Sequence, residues 1–199
     1  MTIKFHNIFS NKGLKISGLL ILEPNIIGDS RGFFFESWNK QEWLKILRSD
    51  SQDEVDFVQD NHSKSSHGVL RGLHYQKSPY PQGKLVRCTS GEIYDIAVDL
   101  RKDSSTFCEW AGIYLSSENK KQFWIPEGFA HGFLTISENA EVLYKTTNYW
   151  NKDCERSLFW NDETINIKWP KNKIKCEIKL SDKDKKAKPL KEINPKDLF

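Results

Sequence analysis

Residues 59–76 read Gln59-Asp60-Asn61-His62-Ser63-Lys64-Ser65-Ser66-His67-Gly68-Val69-Leu70-Arg71-Gly72-Leu73-His74-Tyr75-Gln76. The run packs amides, an arginine and histidines into β-prone sequence, and a strand with that much polar chemistry seldom carries it for packing alone. Its two halves predict strands over 55–61 and 68–76, and further short β runs follow with turn signals between them. These are 84–89, 92–100 after a Ser90-Gly91 turn, 109–115, 122–125, 132–136, 141–149 and 157–160. So many short strands in one domain of 199 residues imply an all-β closed sandwich, jelly roll or barrel.

Upstream, 15–24 reads as a strand stopped by Pro24, and Gly28-Asp29-Ser30-Arg31-Gly32 makes a turn before Phe33-Phe34-Phe35-Glu36-Ser37. Three successive phenylalanines in a strand cannot share one side, so at least one serves the other face, a neighbouring subunit or a ligand. Trp43, Leu44 and Leu47 fall at helical spacing and predict one short helix over 40–48. The tail from Ser181 onward is charged and helix-like at best, the usual mark of a solvated end.

A net charge of +3, with Lys and Arg alternating with Asp and Glu, lacks the continuous basic stripe of a nucleic-acid binder. Any bound anion is expected to be small. Cys88, Cys108, Cys154 and Cys176 have no metal-type spacing and read as reduced thiols of a cytoplasmic protein. The N-terminal stretch shows no secretory signal, and no run approaches the roughly 20 apolar residues of a membrane span.

Among residues that can carry chemistry, His74 is the candidate base, and Arg71 and Lys84 nearby suit a bound phosphate or a developing oxyanion. Arg71 and His74 are three apart, so strict alternation sends them to opposite faces. Both can line one cavity only if the strand is irregular, and Gly72 is where a bulge or kink is expected. Trp124-Ile125-Pro126-Glu127-Gly128-Phe129-Ala130-His131-Gly132-Phe133 holds a Pro-x-Gly turn that delivers His131 to a new strand. That turn resembles the second motif of cupins, small jelly-roll barrels whose histidines often bind a metal. Metal-binding cupins carry His-x-His in their first motif, where this chain has His74-Tyr75-Gln76, so too few ligands remain and no catalytic metal is expected. His131 also reads as a structural histidine closing the turn. Tyr144 in Val142-Leu143-Tyr144-Lys145 would be core, unless a barrel turns its phenol inward as a proton donor opposite His74.

Together, residues 28–37, 59–63, 70–76, 83–88 and 124–133 resemble the dTDP-4-dehydrorhamnose 3,5-epimerase family, and the likeness continues through Leu143-Tyr144-Lys145, residues 160–163 and 180–184. It runs from about Gly18 to Leu190 in unbroken order. The resemblance implies a cupin jelly roll with a few short peripheral helices, a homodimer with exchanged N-terminal strands, and catalysis without a cofactor on a nucleotide-linked 4-keto-6-deoxy sugar. It implies His74 as base with Asp184 hydrogen-bonded behind it, Tyr144 as proton donor, and Lys84 as the cation for the enolate oxygen. It also implies Arg31 and Glu36 from one subunit, and Gln59, Asp60, Asn61 and Arg71 from the other, around the nucleotide, bordered by His131, Glu155 and Lys183. Where relatives often have a tyrosine beyond the catalytic one, this chain has Tyr149-Trp150, and either ring, Tyr149 or Trp150, can stack on a pyrimidine base. The stretch 171–180 is a few residues longer than usual, so Asp184 is placed by its Leu-Ser-x-Lys-Asp match.

Three alternatives share parts of this pattern. A C3-only epimerase, or one acting on another 4-keto nucleotide sugar such as a heptose, would keep the same base, acid and cation. A metal cupin would hold stoichiometric metal, and a non-catalytic sugar-binding jelly roll would lack His74 or Tyr144.

Overall fold

The computed structural model describes residues 3–47 and 55–199. Thirteen strands run through the described residues. They are β1 (Lys4–Phe9), β2 (Lys15–Glu23), β3 (Ile27–Asp29), β4 (Gly32–Phe34), β5 (Gln59–Ser66), β6 (Leu70–Gln76), β7 (Lys84–Ser90), β8 (Glu92–Asp99), β9 (Trp110–Ser116), β10 (Gln122–Ile125), β11 (Phe129–Thr135), β12 (Asn139–Thr146) and β13 (Glu155–Ser157). Six form one sheet in the order β1-β2-β10-β7-β12-β5, and five form the facing sheet, β13-β6-β11-β8-β9. Neighbours within both sheets run antiparallel, and among the described residues β3 pairs with β4 alone.

Alternation along the strands builds three apolar layers. Leu19 of β2, Val86 of β7, Ile93 and Ala97 of β8, Phe133 of β11 and Val142 of β12 point inward and meet between the sheets. The outer face of the six-stranded sheet is covered by α1 (Lys40–Leu47), whose Trp43, Leu44 and Leu47 close on Leu20, Leu22, Leu85 and Trp124. The expected helix is present, and the Arg48 at its expected end lies outside the described residues. The outer face of the five-stranded sheet carries Leu70, Leu73, Tyr75, Ile96, Val98 and Leu134.

That third layer needs a cover, and the C-terminal fifth of the chain provides it. The tail is therefore not the solvated end its composition suggested. Lys179 forms a parallel bridge with Val69, Lys188 forms another with Leu158, and the short helix α2 (Asp182–Lys185) lies between the two anchor points. Further on, Asp197 accepts from Lys77 and from Arg156 Nε at 2.9 Å, and the Phe199 backbone bonds Leu100 and Lys102. Charged sequence hid this role because the lysines point to solvent while Ile174, Ile178, Leu190 and Leu198 pack on the sheet.

Candidate active site

The bulge expected at Gly72 is present, and it decides which side chains meet. Opposite β11, His74 pairs with His131 and Arg71 with Phe133, so three steps on β6 match two on its neighbour. One extra residue resets the alternation. Arg71 and His74 consequently both line the cavity, while Leu70 and Leu73, also three apart, both join the outer layer. Gly72 takes φ +127°, and a Cβ there would lie 2.6 Å from the Gly132 Cα and 2.9 Å from the His131 carbonyl oxygen.

The cavity, about 200 Å³, lies between the sheets. One wall presents Gln59, Asn61 and Ser63 of β5, Lys84 of β7 and Tyr144 of β12; the other presents Arg71, His74 and Gln76 of β6, His131 and Phe133 of β11 and Glu155 of β13. His74 and Tyr144 thus come from opposing sheets, as Tyr144 facing inward requires.

His74 Nε2 lies 2.6 Å from Asp184 Oδ1, and Asp184 is buried in α2. Burial works against the Asp184 charge, but the hydrogen bonds from His74 and Ser181 outweigh it and hold the carboxyl below its usual range. An ionised carboxylate only accepts, so Nε2 carries the hydrogen and Nδ1 keeps the basic lone pair. Lys84 is buried, which brings its ammonium down to about 8 against the attraction of Asp95 and Glu155, and its Nζ donates to the His74 carbonyl at 3.2 Å. Burial pushes the Tyr144 phenol up, so it stays protonated at neutral pH.

His131 is buried, with Nε2 2.8 Å from Asp95 Oδ1. Burial lowers the imidazole and raises the carboxyl, which favours the uncharged form of each partner. It is both a cavity-lining residue and a structurally tied one. Asp95 was missed from sequence, although a carboxylate at an inward position of β8, between Ile93 and Ala97, is the kind of buried charge that marks a site.

Gln76, at the second histidine position of metal cupins, spends its amide on the chain. Its Nε2 donates to the Tyr80 and Tyr149 carbonyls at 2.7 and 3.1 Å, and its Oε1 accepts from Asn151 N at 2.7 Å. Gln59 Oε1 accepts from Trp150 N at 3.0 Å. The two glutamines fix the backbone on both sides of Trp150, whose ring borders the cavity. Among the described residues no group of three or more His, Cys, Asp or Glu is arranged to hold a metal ion.

Of the remaining site candidates, one borders the cavity and the others lie off it. Glu155 borders the cavity and pairs with Lys183 Nζ at 2.6 Å; burial opposes its charge, and the bonds from Lys183 and Trp150 hold it low. Lys183 itself stands outside this cavity's lining. Asp60 sits on the outer face of β5 and accepts from Lys145 at 2.9 Å, because the period of two that turns Gln59 and Asn61 inward turns Asp60 out. Arg31 is exposed on the β3–β4 hairpin beside Asp29, and Glu36 accepts from Asn39 at 3.4 Å. Neither lines the cavity of its own chain.

The family model described as dTDP-4-dehydrorhamnose 3,5-epimerase matches residues 13–192. The chain belongs to that family. The epimerase of this name from Salmonella typhimurium is 56% identical over 172 residues, covering 86% of this chain and 90% of the relative. The one from Escherichia coli is 50% identical over 179 residues, 90% of this chain and 93% of the relative. A crystal structure of the 3,5-epimerase from Legionella pneumophila in complex with dTDP-4-keto-L-rhamnose is 45% identical, covers 98% of this chain and 97% of its own, and superposes with a TM-score of 0.87. A 3'-monoepimerase from Streptomyces bikiniensis in complex with dTDP-quinovose is 29% identical, with a TM-score of 0.79 over 88% of this chain and 85% of its own. The chain is an isomerase of the nucleotide-sugar epimerase family on the cupin-type fold. No helix among its described residues is long and apolar enough to cross a membrane.

Proposed function

We propose that this chain inverts C3 and C5 of dTDP-4-dehydro-6-deoxyglucose to give dTDP-4-dehydrorhamnose. The observation that carries the reading is the placement of His74, backed by Asp184, on one wall of a cavity with Tyr144 on the other. The C4 ketone acidifies the hydrogens at C3 and C5. His74 Nδ1 removes one of them, the electrons move into an enolate on the C4 oxygen, and Tyr144 returns a proton to the opposite face of the carbon. The imidazolium that forms is stabilised by Asp184, and Lys84 meets an oxygen that becomes negative only after deprotonation, so its contribution grows toward the transition state. The ketone is the electron sink, and the steps are complete without a cofactor.

The Arg71 guanidinium suits the diphosphate, and Gln59, Asn61, Glu155 and the Trp150 ring suit the sugar nucleotide at the cavity rim. Arg31 and Glu36 reach a site only if it belongs to another copy. The β3–β4 hairpin leaves Phe33 and Phe34 each 61% exposed and Ile27 51% exposed, an apolar edge that a homodimer would cover. Lys183 borders the site through its ion pair with Glu155, whereas Asp60 faces away from this cavity. Inversion at both carbons is favoured over C3 alone because relatives 45–56% identical are named 3,5-epimerases, while the monoepimerase is far more distant.

Proton NMR of dTDP-4-keto-6-deoxyglucose with the protein in deuterated water tests the reading. Deuterium at C3 and C5, abolished by His74→Ala with nucleotide binding retained, is the expected result. Deuterium at C3 alone would make the chain a 3-epimerase, and none at either carbon would overturn the reading.

A further inference from the structure

Asp184 is the one residue of the His74 pair that comes from outside the two sheets, and something has to hold it. Its carboxylate is spoken for on both sides. Oδ1 faces His74, and Oδ2 accepts from the Ser181 hydroxyl at 2.8 Å. The same hydroxyl oxygen accepts from the Asp184 backbone N–H at 3.1 Å, which makes Ser181 the N-cap of α2. The single O–H of the hydroxyl is thus committed to the carboxylate while its oxygen caps the helix. Two residues earlier, Lys179 is fixed to the start of β6, with Leu70 N donating to its carbonyl at 3.0 Å and its own N–H donating to Gly68 O at 2.8 Å. The strand that carries His74 therefore also sets where Ser181 stands.

We propose that Ser181 is a positioning residue for proton abstraction, the third member of a relay His74–Asp184–Ser181. This deepens the epimerase reading and rests on it. Carboxylate rotation about its last bond is blocked by the hydroxyl on Oδ2, so Oδ1 stays aimed at Nε2 and Nδ1 stays aimed into the cavity. The hydroxyl also withdraws basicity from the carboxylate, which limits how strongly Asp184 holds a proton on the ring. Without it, the carboxylate is both looser and more basic. The imidazole then presents Nδ1 less accurately.

The test uses the full-length chain with Ser181→Ala, Ser181→Thr and Ser181→Gly. Ser181→Ala is expected to lower kcat for solvent exchange at C3 and C5 by roughly 10- to 100-fold with KM little changed, the range for loss of an outer hydrogen-bond partner. Ser181→Thr, which keeps the hydroxyl, should restore kcat. Glycine is a fair N-cap, so Ser181→Gly separates the hydroxyl's bond to Oδ2 from helix capping if the alanine variant folds poorly. Ring 15N shifts of His74 report its tautomer without any substrate, and loss of the single Nε2–H form is expected in Ser181→Ala. Folded Ser181→Ala or Ser181→Gly protein with wild-type kcat and an unchanged His74 tautomer would overturn the proposal and leave Ser181 a helix cap. Wild-type protein that exchanges neither carbon would instead sink the epimerase reading, and the 15N spectrum would still decide the role of Ser181.

Discussion

Replacing Gly72 by alanine tests the claim that the β6 bulge assembles the site. Two costs follow from the structure. A side chain at φ +127° occupies backbone space that is nearly reserved for glycine, at about 1–3 kcal/mol. The added Cβ would also stand 2.6 Å from the Gly132 Cα and 2.9 Å from the His131 carbonyl oxygen, and these are backbone atoms that cannot swing aside. Separating the strands to relieve that overlap is an overpacking cost of about 1–3 kcal/mol. The sum, about 2–6 kcal/mol, is a large share of a domain's net stability of roughly 5–15 kcal/mol. Gly13 offers a control, since it takes φ +84° with no atom near its missing Cβ, so Gly13→Ala carries backbone strain without a clash. Urea titration of the three proteins should show a modest midpoint loss for Gly13→Ala and a much larger one for Gly72→Ala. Solvent deuterium exchange should fall more than stability alone explains, because the shifted strand moves Arg71 and His74 relative to His131. A Gly72→Ala protein that exchanges at the wild-type rate with a near-native midpoint would refute the reasoning.

Other consequences can be checked directly. The Lys84 cation is present below its value of about 8 and lost above it, so kcat/KM should decline through that pH, and Lys84→Arg should move the alkaline limb upward. Lys84→Met, which removes a donor to the enolate, should cost on the order of 10²–10³ in kcat. Tyr144→Phe should lose roughly 10²–10⁴ in epimerisation while binding survives; NMR should still show deuterium entering without inversion, returned by His74 from the face it left. If Arg31 serves the neighbouring subunit, mixing inactive Arg31→Ala and His74→Ala chains should recover about a quarter of wild-type activity, since half the pairs carry one intact site. No recovery on mixing would place Arg31 in the site of its own subunit.

The strands were readable because their alternation is locally encoded: Ala140, Val142 and Tyr144 turn inward while Glu141 and Lys145 turn out, whatever lies across the cavity. The bulge was readable for the opposite reason, since Arg71 and His74 could share a cavity only if alternation failed between them. Asp95 was not found, because nothing within residues 92–100 says that His131 lies across from it. Arg31 and Glu36 show a further limit, as only family likeness gave them to another subunit's site and nothing in their local sequence carries that information. The tail's packing was not legible from composition, because its apolar residues are spread thinly among lysines, too sparse for any periodicity to register, and they find their partners on a sheet built far upstream.

The 110 residues between His74 and Asp184 also set an order of events. All thirteen strands are complete by Ser157, whereas the carboxylate that orients the base comes later. At roughly 5–20 residues per second, translation reaches Asp184 on the order of ten seconds after His74. During that interval the nascent chain has a base without its orienting partner, and a sheet whose outer face is still uncovered. Competence for proton abstraction is thus acquired late in synthesis, in the same step that seals the barrel's exposed side.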